Sequence, residues 1–142
     1  MASISDSINP ESADPLSSVK TLNASGCTLC ETGQFEAAVR VFDDAIALAP
    51  NHCTTWNNRA NALSGLNRYA EALSAYDKAV ALNPTYHQAW FNRGQLLREM
   101  GAYGNALASY QQAINLADDP RYIHARETIW VKGHLFTDQR IV

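Results

Sequence analysis

Side-chain amides are the groups in this sequence best suited to recognition chemistry. Asn57, Asn58, Asn61 and Asn92 fall on stretches whose apolar residues recur at helical spacing. Asparagine is a weaker helix former than Lys, Glu or Gln, so four of them there ask for a reason other than helix stability. An amide is donor and acceptor at once, and a row of amides can pair with the N–H and C=O groups of an extended peptide. Asn58 and Asn92 are 34 residues apart. Such a row reads peptide backbone more than side chains.

Other reactive residues carry less. Cys27 and Cys30 form a C-x-x-C pair, but within a predicted helix, and Cys53 opens another helix without a second pair or histidines at finger spacing. No metal is expected; the cysteines read as small, mildly apolar packing residues of a reducing compartment. His52, His87, His124 and His134 have no nucleophile or carboxylate arranged around them, and the glycines are too scattered for a phosphate loop. The expectation is a non-catalytic protein with no cofactor.

Composition narrows the partner. A net charge of -3 supplies no broad basic field, which argues against nucleic acid. No apolar run approaches the roughly 20 residues of a membrane-spanning helix, so no membrane insertion is expected. Residues 1–14 are Ser-, Asp- and Asn-rich with no cation, unlike a secretory signal, and are expected to form a disordered tail. The expected location is cytoplasmic, and the expected partner is a protein or peptide.

The elements that must position the amides follow from a repeat. Segments 19–52, 53–86 and 87–120 align at a period of 34: Gly26 over Ala60 and Gly94, Ala38 over Ala72 and Ala106, Phe42 over Tyr76 and Tyr110, Pro50 over Pro84. Small residues recur where helices approach closely, and aromatics where one helix fills its neighbour's hollow. Ala38, Phe42 and Ala45 share one helical face, as do Trp56, Ala60 and Leu63, with breakers expected at Gly33, Gly65, Gly101, Pro50 and Pro84. Each copy therefore reads as two antiparallel helices.

This pattern resembles the tetratricopeptide repeat. The second copy carries Trp56, Arg59, Ala60, Leu63, Ala72, Tyr76 and Pro84, and the third Trp90, Arg93, Gly94, Leu97, Ala106 and Tyr110. The first keeps Gly26, Leu29, Ala38, Phe42 and Pro50, with Leu22 in place of tryptophan. The resemblance implies an all-α, right-handed superhelical stack of three helix-turn-helix repeats plus a C-terminal capping helix. It also implies that the first helices line a concave groove. Placed in that frame, Asn23, Asn57, Asn58, Asn61, Phe91, Asn92, Gln95 and Arg98 are the expected peptide-binding residues, with Phe91 as a side-chain anchor. In related repeats the asparagine matching Asn58 and Asn92 forms an amide ladder. A variant of this groove clamps the terminal carboxylate of chaperone tails with Lys, Asn and Arg. In one frame the corresponding positions here are Asn23, Cys27, Asn58, Gln88 and Asn92, and in the other Asn57, Asn61, Asn92, His124 and Thr128; neither supplies the cations, which disfavours that ligand.

The ends depart from the repeat. Asp14-Pro15 reads as a helix cap followed by proline at the first helical position, which starts the repeat domain at residue 15. Proline spacing grows from 34 to 36 between Pro84 and Pro120, and residues 120–132 read as a capping helix ended by Gly133, with 133–142 as a tail. The cap places Ile129 and Trp130 where Arg93 and Gly94 stood. A repeat stack needs such a cover for its last apolar face. Trp130, Val131, Leu135 and Phe136 offer an alternative, structural role, as a surface for self-association or docking into an assembly.

Overall fold

In a computed structural model, residues 14–138 are described, with side chains described through Val131. Those residues form seven helices and no strand: α1 Pro15–Glu31, α2 Phe35–Leu48, α3 Cys53–Gly65, α4 Tyr69–Leu82, α5 His87–Glu99, α6 Tyr103–Leu116 and α7 Pro120–Asp138. Of the amino-terminal stretch expected to be disordered, 1–14, residues 1–13 lie outside the described residues, whereas Asp14 caps α1; the side chains of Leu135 and Phe136 also lie outside the described residues.

Local chemistry sets the helix ends. Asp14 accepts a hydrogen bond from the Leu16 amide at 3.3 Å, satisfying one donor of the first turn, and Pro15 takes the first helical position. Inside each repeat the first helix closes with the same long bond: Gln34 N to Leu29 O, Arg68 N to Leu63 O and Ala102 N to Leu97 O, at 2.8, 3.0 and 2.9 Å. That closure needs one residue in the left-handed region. Gly33 and Gly101 supply it at φ 78°, and in the second repeat Asn67 does so at φ 58°. The second turn is therefore broken by Asn67, one period from both glycines, and not by Gly65. Gly65 ends α3, and a Cβ there would stand 2.6 Å from the Phe35 ring; its glycine lets that ring approach.

Between repeats, the indoles of Trp56 and Trp90 donate to the carbonyls of Pro50 and Pro84 at 2.7 and 2.9 Å, fastening each first helix to the turn before it. Leu22, at the matching position of the first of the three repeats, cannot make this bond. The core is the small-against-aromatic pattern: Ala38, Phe42, Ala60, Leu63, Ala72 and Tyr76 are buried in one cluster, and Leu97, Ala106 and Tyr110 in the next. Full burial of each large apolar side chain contributes about 1.5–3 kcal/mol.

α7 covers the last repeat. Ala125 and Ile129 join the Leu97–Tyr110 cluster, Ile129 with 1% of its surface exposed. Allowing for the two inserted residues, Trp130 takes the position held by Gly26, Ala60 and Gly94, where a small residue admits the aromatic ring of a second helix, and it is exposed. The helix runs to Asp138, past Gly133 where the sequence ended it. A lone glycine lowers helix propensity by only about 1 kcal/mol, and no proline follows to force a stop.

Candidate functional site

The first helices of the repeats, α1, α3 and α5, lie side by side in one layer, and α7 continues it; α2, α4 and α6 form the other layer. Amides tie the first layer together. Asn58 on α3 donates its Nδ2 to Asn23 Oδ1 on α1 at 3.3 Å, and Asn92 on α5 donates to Asn57 Oδ1 on α3 at 3.2 Å. The two bonds are copies one period apart. At the next junction, His87 on α5 meets the Tyr122 hydroxyl on α7 at 2.7 Å.

These bonds divide the expected binding residues into two sets. Asn23 and Asn57 are buried, with 8% and 5% of their surfaces exposed, and work between helices; they do not line an open surface as the sequence reading had them. Successive residues point about 100° apart on a helix, so Asn57 and Asn58 meet different neighbours, Asn57 on the α5 side and Asn58 on the α1 side. Asn58 and Asn92 remain half-buried and Asn61 is exposed. A further rung repeats behind them: the hydroxyl of Tyr76 donates to Asn61 Oδ1, and that of Tyr110 to Gln95 Oε1. Burial pushes both phenols above the ordinary tyrosine value, so they keep the protons they donate.

Asn92 and Gln95 line a niche of about 260 Å³ with Ser64, Gly65, Tyr76 and Glu99. Beside it, between α5 and α7, lies a hollow of about 650 Å³. Phe91, Gln95, Arg98, Arg121, His124 and Thr128 are among its walls. The expected sites Asn92, Gln95, Phe91 and Arg98 thus come together on adjoining hollows. Phe91 has less freedom than an anchor needs: its ring packs on Tyr122 and Tyr110 at centroid distances of 4.6 and 5.6 Å, which leaves it as hollow wall.

Sequence reasoning missed the residues behind the amides. Thr55 is fully buried and accepts from Asn23 Nδ2 at 2.8 Å, while its hydroxyl also lies 2.9 Å from His52 Nδ1. Tyr76 and Tyr110 were legible as packing aromatics, and the signal for more was the hydroxyl each has and Phe42 lacks at the matching position. Arg59 and Arg93 behave as repeat residues, pairing with Asp43 and Asp77, each at 2.7 Å.

Among the described residues no group of three His, Cys, Asp or Glu side chains could hold a metal ion, and no helix is long and apolar enough to cross a membrane. Burial, with Glu31 nearby, pushes the Cys27 and Cys30 thiols above their ordinary value, the opposite of what a metal ligand or nucleophile needs.

With this geometry in hand, the chain can be set beside known proteins. Profiles of the tetratricopeptide repeat match residues 19–52 and 57–122. A stretch of 48 residues, 34% of this chain, is 46% identical to Hsp70-Hsp90 organizing protein 1 of Glycine max, and spans 8% of that protein's length. The fold superposes on the Sgt2 tetratricopeptide domain of Aspergillus fumigatus with a TM-score of 0.80, at 21% identity over 84% of this chain and 82% of that one. It also superposes on the first such domain of Spaghetti bound to the HSP90 peptide SRMEEVD, with a TM-score of 0.79, at 22% identity over 84% and 98% of the two chains. The right-handed superhelical stack of three helix pairs with a closing helix is thus the fold. This chain belongs to the tetratricopeptide repeat family.

Proposed function

We propose that this protein is a non-catalytic interaction module that binds an extended peptide segment of a partner protein along the concave face formed by α1, α3, α5 and α7. The observation that carries this reading is the repeated amide bond, Asn58 to Asn23 and Asn92 to Asn57. It holds two half-exposed amides in the same pose one repeat apart, a periodic arrangement that matches the periodic chemistry of peptide backbone. Asn61 and Gln95 assist, and Phe91 and Arg98 wall the hollow that takes a side chain. The similarity to a domain holding an HSP90 peptide supports a peptide as the class of ligand.

A chaperone tail is a weaker fit than a neutral segment, because the positions that would clamp its carboxylate hold His124 and Thr128 in place of permanent cations. Arg121 lines the same hollow but is engaged with Asp119 at 2.6 Å. A peptide selected from a random library on the intact chain tests the reading. Its binding should perturb the side-chain amide signals of Asn58 and Asn92, and a peptide that leaves both unmoved refutes the groove.

A second reading rests on the exposed apolar residues of α7. Trp130 and Val131 are 57% and 62% exposed on α7, an apolar pair that supports self-association or docking into an assembly. Solution mass of the full chain and of a Trp130→Ser/Val131→Ser variant decides it; a monomer in both excludes self-association.

A further inference from the structure

The amides of the groove have two ends, and the residues behind them decide which end faces out. The Val19 backbone carbonyl can only accept, and the Asn23 side chain lies 3.1 Å from it. The atom of Asn23 facing Val19 is therefore the NH2 group, whose other proton goes to Thr55 Oγ1 at 2.8 Å. With both its protons engaged, Asn23 has only its carbonyl left to offer α3. Asn58 must answer with its own NH2 group, which turns its carbonyl away from Asn23. The chain of bonds starts at a backbone atom that cannot be flipped, so the orientation of Asn58 follows from chemistry.

The second row is set with the opposite sense. Tyr76 and Tyr110 donate their hydroxyl protons to Asn61 and Gln95. In this arrangement each of those amides meets the phenol through its carbonyl and turns its NH2 group outward, an orientation that a hydroxyl, able to donate and accept, accommodates but does not by itself dictate. Asn58 and Asn61 are three residues apart on α3, as are Asn92 and Gln95 on α5, so the members of each pair lie about 5–6 Å apart on one face.

From this wiring we infer that the groove presents a preset polarity to its ligand: carbonyl acceptors at Asn58 and Asn92, and N–H donors at Asn61 and Gln95. Asn23, Thr55, Tyr76 and Tyr110 are its positioning residues. The inference rests on the proposed peptide groove and deepens it. An extended segment carries N–H and C=O groups along each edge, and this row complements one edge only when a free backbone N–H stands opposite Asn58. The partner segment is therefore an extended one whose residue at that point is not proline. The first rung is the firmer of the two, because the position matching Thr55 in the next repeat is Ala89, and no threonine hydroxyl backs Asn57.

The protein itself supplies mild variants. Thr55→Ala places at that position the residue found one repeat on at Ala89, and Tyr76→Phe places there the residue found one repeat back at Phe42. Two measurements separate the inference from the reading beneath it. In the free protein, the Asn58 NH2 protons should exchange with solvent more slowly than those of the exposed Asn51 and Asn105, and should lose that protection in Asn23→Ala. Equal exchange in the unmodified chain overturns the preset polarity whatever the protein binds. With a library-selected peptide, Thr55→Ala and Tyr76→Phe should each weaken binding about 2- to 10-fold at unchanged helicity. N-methylation of one peptide nitrogen should weaken it similarly, and that effect should vanish in Asn58→Ala. A peptide that perturbs Asn58 and Asn92 yet ignores both variants and every N-methyl group overturns the polarity and spares the groove. A selected peptide that perturbs neither amide overturns both.

Discussion

Asn58 donates to Asn23 at 3.3 Å across the α1–α3 junction, and the partners of Asn23 on its other side are the Val19 carbonyl and the Thr55 hydroxyl. A buried amide with its protons and its carbonyl all engaged is a rigid part, and its removal strands the groups it served. Asn23→Ala should lower stability by about 1–3 kcal/mol. Asn105→Ala, at an exposed site, should change it by less than about 0.5 kcal/mol. Urea midpoints of the two variants check this; equal midpoints would mean that the network contributes nothing to the fold.

The close approach at Gly26 gives a second prediction. A Cβ there would lie 2.4 Å from the Phe42 ring, which is itself fully buried and without room to retreat. Overpacking costs about 1–3 kcal/mol, partly offset by the gain of about 1 kcal/mol in helix propensity. Gly26→Ala should therefore be destabilising by about 1 kcal/mol, although Ala60 occupies the same position one repeat later. Thermal denaturation reads the sign, and a higher melting temperature would contradict the packing argument.

The closing helix gives a third. Ile129 is buried against the Leu97–Tyr110 cluster, whereas Ile123 on the same helix is 36% exposed. Ile129→Ala should cost about 2–5 kcal/mol, and Ile123→Ala clearly less. Chemical denaturation of the pair distinguishes a packed cap from a loosely attached helix, for which the two losses would be equal.

The thiols give a pH prediction. Burial first, and then neighbouring charge, raises Cys27 and Cys30 in the folded state, so each holds its proton at pH values where the unfolded chain has released it. Their contribution to stability is complete below the ordinary thiol pKa and declines as pH rises above it toward the folded value. Alkylation by iodoacetamide should be slower at Cys27 and Cys30 than at a free cysteine peptide near neutral pH, with its half-rise displaced to higher pH. Faster alkylation at either residue near neutral pH would overturn their assignment as packing residues.

Much of the architecture was legible because it is periodic. The 34-residue spacing gave three helix pairs, and the slip to 36 before Pro120 marked where repetition ends. The turn at Asn67 was obscured by Gly65 two residues earlier: both residue types suit a turn, and only the common register with Gly33 and Gly101 separates them. The division of the amides was harder to see. Which of Asn57 and Asn58 is the more buried depends on where the neighbouring first helices lie, which is a long-range fact. Arg121 reaches the hollow through the same inserted geometry at α7 that broke the period. The length of α7 escaped because Gly133 weakens a helix without stopping it.

The central claim is that Asn58 and Asn92 form the contact surface of a peptide groove. Calorimetric titration of a library-selected peptide against the intact chain and the Asn58→Ala/Asn92→Ala variant tests it most directly, with circular dichroism confirming that both are folded. The account predicts a loss of affinity of about tenfold or more, from at least two hydrogen bonds removed at about 1 kcal/mol each. Undiminished affinity in a fully helical double variant would contradict it.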